Sequence, residues 1–73
     1  MSERLEDPKA FGTAIRQARK AQGLKQADLA GLCNTGLRFI SDLENGKPSC
    51  QLGLALKVAK SVGLRLRLEG PRA

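Results

Sequence analysis

The stretch LKQADLAGLCNTGLRFISDLENGKPS, residues 24–49, decides the fold of this chain. In its second half Ile40 and Leu43 lie three residues apart, which predicts a narrow apolar stripe on a short helix of about residues 37–45. Gly46 follows, where a glycine commonly ends a helix. A helix this short is not stable alone, so it must be held by other helices and leaves one polar side exposed.

The first half of the stretch predicts a second short helix, of about residues 26–33. Leu29, Leu32 and Cys33 lie at positions i, i+3 and i+4 of its apolar stripe. Only residues 34–36 separate the two helices. Two short amphipathic helices joined by three or four residues are typical of a helix-turn-helix, although many helical bundles contain such a pair.

Two further helices are predicted on either side of this pair. Asp7 is a good N-cap and Pro8 fits the first helical position, so one helix is expected over about residues 8–22. Another is expected over about residues 50–62. The first turn of the second helix, in contrast, is expected to fray, because Lys25 is a poor N-cap. The apolar stripe predicted for the fourth helix contains Leu52, Ala55, Leu56, Ala59 and Val62.

The segment after the fourth helix has a different period. Leucines and charged residues alternate over residues 64–69, which is typical of a half-buried strand, although leucine and arginine favour helices by propensity. A lone strand leaves its backbone polar groups unpaired. The simplest partner is the same segment of a second subunit, paired antiparallel in a symmetric homodimer; otherwise the segment is a fifth helical turn or a flap. The predicted dimerisation residues are Leu64, Leu66 and Leu68.

Length and composition limit the class of protein. The 73 residues allow one domain, and we treat 1–73 as a single unit with its helical core at about residues 8–63. Cys33 and Cys50 are interpreted as small apolar residues in a reducing cytosol, rather than as a disulfide. Without histidine, and with no second cysteine near either one, the sequence predicts neither a metal site nor a cofactor.

The charge favours a polyanionic partner. The net charge is +6 and the isoelectric point is near 10. No apolar segment is long enough for a membrane span, and the first ten residues do not form a signal peptide, so a cytoplasmic location is expected. The chain has two phenylalanines and no tryptophan or tyrosine, which argues against proteins that stack single-stranded bases on aromatic rings.

The segment FGTAIRQARKAQGLKQADLAGLCNTGLRFISDLENGKPS resembles the Xre/Cro-like helix-turn-helix family of bacterial and phage repressors. The resemblance covers about residues 10–63 and implies a mainly all-α, lambda-repressor-like domain of four to five helices. With the alternating segment after the fourth helix, it is similar in particular to the HipB-type antitoxins. The matched positions are Ile15, Arg16, Arg19, Lys20, Gly23, Leu24, Gln26, Leu29, Ala30, Ile40, Ser41, Leu43, Glu44, Gly46 and Lys47.

Three positions depart from the family pattern. The family usually has threonine or serine at Lys25, glycine at Asn34, and serine or threonine at Gly36. Each change weakens a cap or a turn, and none removes a core residue. The departures therefore affect where the helices begin and end more than they affect the fold.

The resemblance implies that the third helix lies in the DNA major groove. By family position the base-reading residues are Leu37, Arg38, Ser41 and Asp42. Arg38 can donate two hydrogen bonds to guanine, and Leu37 can contact a thymine methyl group. Asp42 repels phosphate, so it either accepts from cytosine N4 or holds Arg38 one turn away. The alternative for Arg38 and Asp42 is an exposed ion pair of little consequence.

Other matched residues have positioning roles in the family. The equivalents of Arg19 and Glu44 form a partly buried ion pair that ties the first helix to the end of the third. The glutamine at the start of the second helix also braces the recognition helix. Residues implied to contact phosphate are Gln26, Lys25, Asn45 and Lys47, although each lysine can equally be a solvated surface charge.

The function implied is a sequence-specific transcriptional repressor of a palindromic operator. The narrower resemblance implies the antitoxin of a toxin–antitoxin operon, which represses its own operon and binds a HipA-like serine/threonine kinase. A stand-alone phage-type repressor, and a basic module that binds protein or RNA, remain alternatives. The sequence does not indicate an enzyme, because it has no plausible nucleophile–base pair and no glycine-rich phosphate loop.

Overall fold

The computed structural model describes residues 7–67 and 70, and that part of the chain is a small helical domain. The helix order and type agree with the prediction, and the bounds differ by one or two residues. Asn45 caps the third helix rather than continuing it, and residues 50 and 51 precede the fourth. The helices are α1 (Pro8–Ala21), α2 (Gln26–Cys33), α3 (Leu37–Glu44) and α4 (Leu52–Ser61).

The first turns of α1 and α2 are stabilised in different ways. Asp7 caps α1, since its carboxylate accepts a hydrogen bond from the Ala10 N–H at 2.7 Å, and Pro8 occupies the first turn. Lys25 supplies no side-chain cap to α2, as predicted. The Asp28 carboxylate instead accepts from the Lys25 backbone N–H at 2.9 Å, which is half of a capping box. This bond opposes the expected fraying.

All four helices end in the same backbone motif, which explains why the predicted stop residues were correct. Each is followed by a residue of positive φ, and the next N–H donates back to the carbonyl five residues earlier, as in a Schellman motif. For α3 the Lys47 N–H donates to the Asp42 carbonyl at 3.0 Å. The residues of positive φ are Gly23 (71°), Asn34 (53°), Gly46 (81°) and Gly63 (83°).

The core lies where α3 packs on α1 and α2, and where α2 packs on α4. Every helix contributes at least one side chain that is fully removed from solvent. Burying large apolar side chains in this way is the main stabilising contribution to a domain of this size. The largest fully buried side chains are Ile15, Leu29, Ile40, Val58 and Cys33.

The apolar stripes of α2 and α4 are narrower than the sequence predicts. Leu32 is 64% exposed, and Leu52 and Leu56 are 70% and 44% exposed, so none of the three is part of the core. The buried face of α4 instead includes Val58, which the predicted stripe omitted. Helical periodicity identifies an apolar sector, but the packing of a neighbouring helix decides which edge of that sector is covered.

Gly12 sets the distance between α1 and α3. A Cβ atom added there would lie 2.7 Å from the Glu44 carbonyl oxygen and would also contact the Leu43 carbonyl oxygen. The two helices therefore touch backbone to backbone, which only glycine permits. Gly46 lies equally close to the α1 backbone, because a Cβ there would be 2.7 Å from Lys9 Cα. The C-terminal end of α3 is thus held tightly against α1.

The segment after α4 is described only in part. Residues 64–67 have no regular secondary structure in the single chain, and Leu68 and Glu69 lie outside the described residues. Leu64 packs against the core, whereas Leu66 is 42% exposed. Strand pairing across a dimer requires a second chain, so that part of the fold stays a prediction. Within the described ranges, no helix is long and apolar enough to cross a bilayer.

Candidate nucleic-acid interface

The α3 helix has one buried and one exposed face, and the exposed face carries the predicted base-reading residues. Ile40, Leu43 and Glu44 are buried against the other helices. Leu37 is 52% exposed, and the Arg38 side chain is 91% exposed. Neither side chain is part of the core, so the exposed face at the start of α3 is available for contact with a partner.

Asp42 lies at the centre of a small charged group on this face. Its Oδ2 atom lies 3.9 Å from Arg38 Nε and 3.5 Å from Lys47 Nζ. Ser41 beside it is half-buried. Both ion pairs are longer than a hydrogen bond and partly exposed, so they contribute little to the stability of the fold. The structure therefore brings Arg38, Asp42 and Lys47 together on one surface.

The residues implied to contact phosphate lie at the start of α2 and the end of α3. Lys25, Asn45 and Lys47 are exposed, and Gln26 is half-buried. The Gln26 amide nitrogen donates to Glu44 Oε1 at 3.1 Å. This hydrogen bond ties the start of α2 to the end of α3.

Arg19 and Glu44 form a bidentate ion pair inside the domain. Arg19 Nε donates to Glu44 Oε2 at 2.6 Å, and Arg19 Nη2 donates to Oε1 at 3.0 Å. The side chains are only 8% and 2% exposed. Arg19 Nη1 also donates to the Leu24 carbonyl at 2.7 Å. The pair links α1, the turn after it and the last residue of α3.

These contacts shift both pKa values in the direction that favours the charged forms. The hydrogen bond to Glu44 raises the pKa of Arg19 despite burial, which acts in the opposite sense. Burial alone would raise the pKa of Glu44, but hydrogen bonds from Arg19 and Gln26, together with the Arg19 charge, lower it below its ordinary value. Both groups are therefore charged at neutral pH.

Cysteines and acidic residues outside these contacts form neither a disulfide nor a metal site among the described residues. Cys33 and Cys50 are free thiols, and the buried Cys33 Sγ lies 3.3 Å from the Ser61 hydroxyl oxygen. Across the described part of the chain, no three His, Cys, Asp or Glu residues are grouped so as to hold a metal ion. Every buried side-chain nitrogen and oxygen in the described part of the chain has a hydrogen-bond partner.

Two residues that support this surface were not identified from the sequence. Gly12 lets α1 approach the end of α3, and Asp28 stabilises the first turn of α2. A glycine inside a helical pattern costs about 1 kcal/mol relative to alanine, so its presence there indicates close packing. Asp28 stands three residues after the N-cap, where an acidic residue can complete half a capping box.

The short turn between α2 and α3, their packing on each other and the exposed start of α3 define a helix-turn-helix domain of the DNA-binding class. The chain belongs to the helix-turn-helix family, since the family model matches residues 15–68. The predicted resemblance to Xre/Cro-like regulators is confirmed.

Curated relatives agree with this assignment. The chain is 42% identical over 71 residues to "Uncharacterized HTH-type transcriptional regulator y4mF" of Sinorhizobium fredii (strain NBRC 101917 / NGR234), which covers 97% of this chain and 93% of that protein. It is also 34% identical over 70 residues to human endothelial differentiation-related factor 1, covering 85% of this chain and 47% of that protein. The chain therefore spans about half of the human protein.

Solved structures confirm the fold. HipB in a complex with the O4 20mer superposes with a TM-score of 0.84 at 22% identity, covering 97% of this chain and 100% of that chain. A HipA–HipB–O2–O3 complex gives a TM-score of 0.85 at 22% identity, with the same coverage. At this identity the likeness concerns the fold alone.

Proposed function

We propose that this protein is a sequence-specific transcriptional repressor that inserts the exposed face of α3 into the major groove of double-stranded DNA. The observation that carries the proposal is that α3 has one buried and one exposed face. Ile40, Leu43 and Glu44 are buried against the other helices, whereas Leu37 and the Arg38 side chain are 52% and 91% exposed. A recognition helix needs both features, because it must be rigid and must leave its reading side chains free.

The side chains on this face fit different kinds of base contact. Arg38 carries two terminal nitrogens that can donate together to guanine O6 and N7. Leu37 supplies an apolar contact for a thymine methyl group, and the Ser41 hydroxyl can donate or accept. The Asp42 carboxylate can accept from cytosine N4 or act through Arg38. We therefore propose that these four residues contact the bases.

Phosphate contacts come from the two ends of the helix pair. Gln26 and Lys25 lie at the start of α2, while Asn45 and Lys47 follow α3. The net charge of +6 supports binding to a polyanion. Each phosphate that is neutralised releases condensed counterions, so affinity should fall as salt rises, with a slope of about 0.9 per contact.

We propose that the operator is palindromic and that the protein binds it as a homodimer. Leu64, Leu66 and Leu68 would pair and pack across the two-fold axis. Support comes from the apolar surface left open on α4 and after it, where Leu56 and Leu66 line one groove and are 44% and 42% exposed. A symmetric dimer would place two α3 helices about 34 Å apart, which is one turn of DNA.

Analytical ultracentrifugation tests the dimer. Leu66→Lys should give monomers that bind a half-site weakly, whereas Leu32→Lys, at an exposed leucine on α2, should leave the assembly unchanged. A Leu66→Lys protein that remains dimeric would place the interface elsewhere.

The narrower proposal is an antitoxin that represses its own operon and binds a HipA-like serine/threonine kinase. Its support is the fold shared with HipB, which is seen bound to HipA together with O2 and O3. Both partners must be held at once, so the kinase should contact a surface away from α3. Size-exclusion chromatography of protein, operator and kinase together tests this, and mutually exclusive binding would rule it out.

The main experiment is a footprint titration on the DNA upstream of the gene, with wild-type protein and Arg38→Ala. The loss should be about 1–3 kcal/mol and should relax the preference at one base pair. Lys57→Ala on α4 is the matched control, since it also removes one exposed cation but not from α3. An equal loss on every sequence variant would make Arg38 a phosphate contact. No preference for any sequence at high salt would favour a nonspecific basic module.

A further inference from the structure

Asp42 puts a negative charge on the face that the proposed function brings to DNA. The other acidic residue of α3, Glu44, is buried and paired with Arg19. Asp42 instead has an exposed side-chain fraction of 31% and lies between Arg38 and Lys47. A carboxylate facing a polyanion weakens the attraction, so its effect on affinity alone is unfavourable.

The two cations are related to Asp42 in different ways. Arg38 precedes it by one helical turn and approaches Asp42 Oδ2 through Nε, at 3.9 Å. This approach leaves both terminal nitrogens of the guanidinium free, and these are the two donors that a bidentate contact with guanine requires. An arginine that meets a carboxylate through Nε therefore keeps its two terminal nitrogens available for another partner.

Lys47 approaches the same oxygen from the turn after α3. Its Nζ lies 3.5 Å from Asp42 Oδ2, and its backbone N–H donates to the Asp42 carbonyl at 3.0 Å. The Schellman motif thus fixes the two residues beside each other, at positions where a hydrophobic contact is usual. In this protein the contact is between opposite charges, so Asp42 reduces the positive charge that Lys47 presents to phosphate.

We propose that Asp42 is a specificity-determining residue that directs Arg38 toward the base and lowers the affinity for unrelated DNA. The proposal rests on the proposed function. On unrelated DNA the carboxylate cancels one of two nearby positive charges and repels phosphate. On the correct base pair the terminal nitrogens of Arg38 bind guanine while Nε stays beside Asp42. The affinity for the correct site is therefore reduced less than the affinity for other sites.

The test uses Asp42→Asn, which removes the charge with little change of shape. Duplexes selected from a random library by the wild-type protein, their single-base variants and an unrelated duplex are titrated over a range of salt. We expect tighter binding to the unrelated duplex, with a salt slope steeper by about 0.9, as one added phosphate contact would give. The preference at the Arg38 base pair should fall about tenfold, within the range of one bidentate contact.

Three matched variants identify the cause of the changes in base-pair preference and salt slope. Asp7→Asn changes the net charge equally but keeps an efficient N-cap on α1, and should leave the preference unchanged. In an Arg38→Ala background, Asp42→Asn should cause no further loss of preference at that base pair. In a Lys47→Ala background it should not steepen the salt slope. Circular dichroism of each variant should show an unchanged helical fold.

The selection by wild-type protein tests the proposed function separately from the role of Asp42. If the wild-type protein selects no sequence, both are overturned. If the wild-type protein selects a site and Asp42→Asn keeps the same preference, only the role of Asp42 is overturned. If Asp42→Asn instead loses preference at a base pair that Arg38→Ala does not affect, Asp42 contacts a base directly and does not act through Arg38.

Discussion

Replacing Glu44 by alanine should remove a large part of the stability of this domain. The Glu44 carboxylate accepts two hydrogen bonds from Arg19 and one from Gln26, at distances of 2.6, 3.0 and 3.1 Å. Its side chain is 2% exposed and that of Arg19 is 8% exposed. Alanine would leave a buried guanidinium with the Leu24 carbonyl as its remaining partner among residues 7–67 and 70.

The magnitude follows from this burial. Removing one partner of a buried ion pair typically costs about 3–5 kcal/mol, because the other charge stays desolvated and unpaired. At roughly 0.05–0.15 kcal/mol per residue, a domain of this size has a total stability of roughly 4–11 kcal/mol. The variant should therefore retain little stability if the wild-type protein lies in the lower part of that range.

Urea denaturation followed by far-UV circular dichroism measures the effect. Asp42→Ala is the control. The ion pairs of Asp42 are partly exposed, so this variant should lose less than about 1 kcal/mol of stability. The double variant Arg19→Met with Glu44→Leu should recover much of the stability, since apolar side chains can replace a buried pair. A loss below about 0.5 kcal/mol for Glu44→Ala would refute the reasoning, as it is typical of a surface site.

Four further variants test the close packing at Gly12, the protonation of Glu44 and the turn at Asn34. Gly12→Ala should destabilise by about 1–3 kcal/mol in the same assay, because its Cβ would lie 2.7 Å from the Glu44 carbonyl oxygen; no loss would mean that α1 shifts freely. The pKa of Glu44 is lowered in the fold, so its stabilising contribution is present above the ordinary value of 4.5 and lost as pH falls further. Glu44→Gln should therefore flatten the pH dependence of stability below 4.5, and an unchanged acid transition would contradict this. Asn34→Gly should stabilise by up to about 1 kcal/mol, since Asn34 has φ of 53°, while Asn34→Ala should destabilise; the opposite order would exclude strain at this turn.

The positions of the helices were predictable because their signals are local. Asp7 caps its own helix, and Gly46 and Asn34 end theirs through backbone conformations that few other residues adopt easily. Such caps and stop residues can be predicted without knowledge of the rest of the chain. The period of apolar residues then gave the type of all four helices correctly. The strand predicted after α4, where pattern and propensity disagree, stays a prediction.

Features that depend on packing were harder to predict. Leu52 and Leu56 belong to the apolar sector of α4, yet they are exposed because the covered edge of α4 runs through Val58. The contact at Gly12 joins residues more than thirty positions apart, so no local pattern contains it. The pairing of Arg19 with Glu44 came only from the family resemblance, since nothing in their spacing indicates it.

The division of α3 along its length links the fold to the proposed site. Its last residues are fixed from two sides, by the Arg19–Glu44–Gln26 contacts and by the close approach of Gly12. Its first two residues lie largely outside the core, since Leu37 is 52% exposed and the Arg38 side chain is 91% exposed. Because a helix is stiff, fixing one end also fixes the direction of the other without burying it. Under the proposed function, changes at the start of α3 should therefore alter sequence preference with little loss of stability. Changes at the buried Leu43 and Glu44 should lower stability first and weaken DNA binding only through loss of the folded state.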